Sequence, residues 1–145
     1  GPLAEAIHSY SESDSRIKYL GFLSQDRLAT AQMAAVGLLI TRPVVDPYVR
    51  YSFPSKLLEY MGTGVPVLTT RLPGIPGEYY QFLNIIEECS SNGIIAALDA
   101  HLSRDAAERQ QQGRKALEFV KEFKSPKVAV APLLHLLESR RLRRD

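Results

Sequence analysis

The sequence contains one cysteine, three histidines and no tryptophan. A single thiol, Cys89, forms no internal disulfide, and scattered histidines make no metal cluster. Cys89 stands between acidic neighbours, Glu87 and Glu88, and Ser90, a setting that disfavours a nucleophilic thiolate. No Gly-x-Ser-x-Gly elbow is present to support a serine hydrolase. Long apolar runs are also missing. The longest, Met33 to Ile40, falls far short of the roughly 20 residues that cross a bilayer. No basic, apolar and small-residue succession opens the chain, so no leader peptide is expected. The expected location is cytoplasmic.

Charge of one sign is scarce as well. The formal net charge of +2 comes from the end of the chain, where Arg140, Arg141, Arg143 and Arg144 stand beside Asp145. Without those residues 14 basic side chains face 15 acidic ones. Such a body has no basic stripe to follow a phosphate backbone, so nucleic acid is not an expected partner. The arginine tail is suited to weak contact with an anionic membrane surface.

What is present fits one ordinary domain of 145 residues and 16.2 kDa, 45% apolar and 23% charged. That balance excludes a disordered chain. Short apolar runs alternate with amphipathic stretches. The pattern predicts a helix from Pro2 to about Tyr10, a polar turn over Ser11–Ser15, and a strand over Ile17–Leu20 closed by Gly21. Ser24 reads as the N-cap of a helix from Gln25 to about Val36. Strands follow at Gly37–Thr41 and Val65–Thr69, with a helix from about Pro54 to Met61 between them. A short helix over Pro76–Phe82 and a short strand over Asn84–Glu87 come next. From Ser90 onward the chain reads as a helical tail, in three helices: about Asn92–Leu102, Ala106–Phe123 and Lys127–Arg141. Asp105 and Ser125 are the expected caps, and Pro126 suits a first helical turn. Strands without polar alternation argue for burial on both faces, hence a parallel sheet between helices. The expected fold class is α/β, a Rossmann-like open parallel sheet with flanking helices and a helical C-terminus.

Six of the nine prolines and five of the seven tyrosines fall between Pro43 and Tyr80. Ligands of open α/β sheets bind beyond the carboxyl ends of the strands, and the loops after Thr41 and Thr70 leave such ends. Within this region lies Tyr51-Ser52-Phe53-Pro54-Ser55-Lys56-Leu57-Leu58-Glu59-Tyr60-Met61-Gly62-Thr63-Gly64-Val65-Pro66-Val67. At 100° per residue Leu57, Leu58 and Met61 share one helix face; Ser55, Lys56, Glu59 and Tyr60 share the other. A helix start offers unpaired N–H groups and partial positive charge. Ser55 and Lys56 add a hydroxyl and a full charge suited to phosphate, and Glu59, one turn on, suits the two hydroxyls of a ribose. Lys56 and Glu59 equally fit a plain exposed pair three residues apart. Gly62-Thr63-Gly64 follows a helix and precedes a strand, the reverse of a phosphate-binding glycine loop. One of its glycines therefore reads as a left-handed helix cap.

The segment from Ser52 to Tyr80, and above all Phe-Pro-Ser-Lys-Leu-Leu-Glu-Tyr-Met-Gly-Thr-Gly-Val-Pro-Val, resembles the donor-binding domain of bacterial group 1 (family 4) glycosyltransferases of the GT-B fold. The resemblance extends to Gly1–Glu5, Arg16–Phe22 and Gly37–Pro43, and so to nearly the whole chain. It implies a retaining transfer of a sugar from a nucleotide-sugar, such as a UDP- or GDP-sugar, with no metal and no other cofactor. Cell-surface polysaccharide or glycolipid synthesis is the implied setting. Glu59 matches the second acid of the family's Glu-(seven residues)-Glu motif, which holds the ribose. Ser55 and Lys56 match its diphosphate contacts, and Gly21, Phe22 and Leu23 the loop that lines the nucleobase. Tyr51 stands where the first acid, which touches the donor sugar, is found in the family. The family's opening strand with its glycine loop and its acceptor domain have no counterpart here. The resemblance thus implies an incomplete donor domain over residues 1–145, acting with an acceptor domain and inactive alone. A sugar-nucleotide epimerase of the same fold and a non-catalytic flavodoxin-like module are the alternatives from other classes. His8, His101 and His135 fall on separate predicted helices and read as ordinary surface or half-buried side chains. Val128, Ala131, Leu134 and Leu137 mark a core-facing stripe on the last helix.

Overall fold

The computed structural model describes residues 2–45, 47–128, 130–132 and 134. Its contacts divide the chain into two compact units, Gly1–Ala31 and Gln32–Asp145.

In the first unit α1 (Pro2–Ser13) runs through the expected turn at Ser11–Ser13. The Ser11 and Ser13 hydroxyls donate to the carbonyls of His8 and Tyr10, three residues back, so these polar residues are held within the helix. Asp14 then accepts from the backbone and guanidinium of Arg16, which holds its carboxyl below the usual range. The expected strand at Ile17–Leu20 does not form; these residues carry no regular secondary structure. Apolar character suits a strand, but a strand exists only where another offers its hydrogen-bonding edge. Helix α2 (Gln25–Met33), whose last two residues, Gln32 and Met33, belong to the second unit, stops three residues before the expected end at Val36.

The second unit is built on three parallel strands, β1 (Leu38–Ile40), β2 (Val67–Thr70) and β3 (Leu83–Ile86), in the order β1-β2-β3. Leu38 faces Val67, and Val67 faces Leu83 across the sheet. All four residues of β2 are buried, as an apolar central strand between helices requires. Polar Thr69 and Thr70 are accommodated there because each hydroxyl donates to a carbonyl, of Thr70 and Arg42 respectively. The strands are joined by α3 (Ser55–Met61) between β1 and β2, and by a 3-10 helix (Gly77–Phe82) between β2 and β3. The core gathers Val49, Leu57, Met61, Val67, Leu72, Ile75, Tyr79, Leu83 and Ala116. The Tyr79 ring meets Phe53 and Phe119 at centroid distances of 5.3 and 5.2 Å.

Helices α4 (Ser91–Leu102) and α5 (Ala106–Phe123) follow. Both start on side-chain caps: Ser90 accepts from the Gly93 amide and Asp105 from the Ala107 amide. Removing the second, in Asp105→Ala, is expected to cost about 1 kcal/mol in a denaturant melt. His101 is buried, against the surface or half-buried expectation, and its Nε2–H donates to the Val36 carbonyl at 3.0 Å. Gly37 leaves the room for that ring, since a Cβ there would sit 3.3 Å from Nε2.

Residues 126–128, 130–132 and 134 are helical, as expected past Pro126. The stripe on this helix is not core-facing where it is described: Val128, Ala131 and Leu134 are exposed. Helical spacing sets which residues share a face, not whether another layer meets it. Leu137, His135 and the arginine tail lie outside the described residues. Among the described residues no helix is long and apolar enough to cross a membrane.

Candidate functional site

A helix joining two adjacent parallel strands must run back against them, so α3 begins at the carboxyl edge of the sheet. Its start is therefore grouped with the loops leaving β1 and β2. These loops are tied together. The Thr70 hydroxyl donates to the Arg42 carbonyl at 2.8 Å, and Gly74 passes so near the Ser52 and Val49 carbonyls that a Cβ would collide with them. The Tyr80 hydroxyl donates to the Leu72 carbonyl at 2.8 Å. Burial raises the Tyr80 phenol above its usual range, against the nearby charge of Arg71, which lies over the same ring at 4.9 Å. Arg71 also reaches Glu87, just beyond β3, at 3.7 Å.

Pro54 caps α3 without a side-chain hydrogen bond, and its carbonyl accepts from Leu57 N–H at 2.8 Å. Leu57 and Met61 are fully buried, which turns Ser55, Lys56 and Glu59 outward. The expected two-faced helix is thus seen, except at Tyr60, which is half-buried and packs against the core. A short helix beside a sheet buries a wider stripe than three residues, and an aromatic body at its border is drawn in. Gly62 closes α3 in right-handed conformation, while Gly64 takes φ +76° and makes the left-handed turn into β2.

Glu59 has a partner that spacing could not reveal. Gln32 Nε2 donates to Glu59 Oε1 at 2.8 Å, across 27 residues of chain. Gln32 is itself buried, whereas Glu59 is exposed. A buried amide bonded to one carboxylate oxygen fixes the side chain and leaves Oε2 outward. Among the described residues Oε2 accepts no hydrogen bond. Tyr51 stands 90% exposed next to fully buried Val49 and half-buried Ser52 and Phe53.

Ser55, Lys56 and Glu59 are therefore placed on one exposed helix face. Gly21, Phe22 and Leu23 belong to the first unit, where Gly21 takes φ +62° and Phe22 is fully exposed. Two cavities in the second unit, of about 620 and 330 Å3, are lined by none of Ser55, Lys56 and Glu59. Among the described residues no group of three or more His, Cys, Asp or Glu could hold a metal ion. Comparison with protein-family models, curated proteins and solved structures returned no match.

Proposed function

We propose that this chain supplies part of the donor site of a glycosyltransferase of the GT-B type, binding a nucleotide-sugar at the carboxyl edge of its parallel sheet. The observation that carries the reading is Glu59: an outward carboxylate, held by a buried glutamine, one turn inside a helix that starts at that edge. In this reading Oε2 accepts from the ribose hydroxyls, a charge-assisted contact stronger than a neutral one. Ser55 and Lys56, one turn nearer the edge, meet the diphosphate. Transfer with retention asks the protein chiefly to stabilise the leaving diphosphate, and a fixed cation and hydroxyl do so by electrostatic preorganisation. The acceptor is bound by a separate domain.

The test is an amide NMR titration with UDP, GDP and their sugars, on the chain and on Glu59→Gln and Lys56→Ala. Saturable shifts over Ser52–Glu59, with affinity lowered about tenfold in each variant, are expected, as for the loss of one charge-assisted contact. Shifts that the variants leave unchanged would place the nucleotide elsewhere and sink the reading.

A further inference from the structure

We propose a second ligand site, for a small oxyanion such as a phosphate or carboxylate group, built around Arg104 at the amino edge of the sheet. Helix α4 leaves the carboxyl end of β3 and runs back, so the α4–α5 corner that carries Arg104 lies at the edge opposite α3's start. The guanidinium is set in place by neutral groups. Its Nη1 donates to Asn84 Oδ1 at 2.9 Å and to Gln112 Oε1 at 3.0 Å. Asn84 is oriented in turn, because its Nδ2 donates to the Val67 carbonyl at 3.3 Å and so presents Oδ1 to the arginine.

This arrangement spends one nitrogen and none of the charge. Among the described residues Arg104 makes no ion pair, and Nε and Nη2 donate to nothing. Those two nitrogens form the side-on fork that pairs two parallel N–H groups with two oxygens of a carboxylate or phosphate. Arg104 is half-buried, where such a contact is less screened than on open surface. It lines the cavity of about 330 Å3, together with Lys115, Glu108 and the amides of Gln81, Gln111 and Gln112. Lys115 supplies a second cation and the glutamines supply neutral donors. Among the described residues that line it, Glu108 is the one opposing charge, and a bound anion must compete with it. The site does not depend on the nucleotide reading.

The experiment titrates the full chain with inorganic phosphate, and separately with succinate, against sodium chloride at matched ionic strength, followed by NMR. Saturable shifts are expected at Arg104 Nε–H and at the side-chain amides of Gln81, Gln111 and Gln112. Lys115→Glu should weaken binding about tenfold and Glu108→Gln should strengthen it, following the sign of each charge. Arg104→Lys keeps the charge but removes the fork, and should abolish the shifts. Because that variant also cuts the ties to Asn84 and Gln112, the two exposed variants decide the matter if it fails to fold. A response to phosphate without succinate assigns a phosphate ligand, and the reverse a carboxylate. Equal shifts with chloride, or titrations unmoved by both Lys115→Glu and Glu108→Gln, would overturn the site.

Discussion

Gly113→Ala is expected to destabilise the protein by about 3 kcal/mol, although alanine inside a helix normally gains about 1 kcal/mol over glycine. Gly113 sits in the interior of α5, where helix propensity alone predicts a gain. A Cβ there would run into the Gly64 carbonyl and lie 3.2 Å from Pro66 Cδ. Both obstacles are stiff. Gly64 takes φ +76°, its carbonyl abuts Gly113, and a Cβ on Gly64 would meet the Leu117 side chain of α5 at 3.3 Å, so helix and turn are closely packed on both sides. Neither can retreat without opening the α3–β2 connection. Gly77→Ala is the matched control, since nothing lies within 4 Å of a Cβ there. It should stay within about 0.5 kcal/mol of the parent. Urea midpoints of the two variants check the contrast; a stabilising Gly113→Ala would mean that the turn can yield.

Leu57→Ala is expected to cost about 3 kcal/mol, lower the melting temperature by roughly 10 °C and, on the proposed reading of α3, weaken nucleotide binding along with it. Leu57 is fully buried, as is Met61 one turn later. Helix α3 has seven residues, too few to persist without tertiary packing. Its position over the sheet therefore rests chiefly on these two fully buried side chains, with Leu58 and Tyr60 packed at their border. They also set which way Ser55, Lys56 and Glu59 face, so a loosened α3 misplaces all three polar groups together. Far-UV circular dichroism with a thermal ramp measures the first effect, and the nucleotide titration the second. A folded Leu57→Ala with unaltered binding would separate the polar face from the packing beneath it.

Much of the architecture was legible from short-range chemistry. The period-3.6 pattern with an aspartate ahead of it located α5 at Ala106–Phe123, since a cap and an amphipathic stripe are both local. The unbroken apolar run before Thr70 identified a strand buried on both faces, and β2 is one. The outward placement of Ser55, Lys56 and Glu59 followed from the same helical geometry.

Elsewhere local pattern was insufficient for a physical reason. Ile17–Leu20 has the composition of a strand, but pairing is decided by what lies alongside, and no paired strand forms there. Gly62 and Gly64 are equivalent as helix-stop signals, and only the folded backbone shows that Gly64 takes the left-handed turn while Gly62 stays right-handed.

By itself, then, the sequence determined where helices and strands are favoured, that the sheet is parallel and covered, and which polar residues share a face of α3. These depend on spacing, caps and apolar runs within a few residues. Tertiary structure alone decided that buried Gln32 holds Glu59, that Asn84 and Gln112 orient Arg104, and that Gly113 meets Gly64. Each joins residues far apart in the chain, and a hydrogen bond or close approach of that kind leaves no periodic trace, because it exists only once the chain has closed on itself.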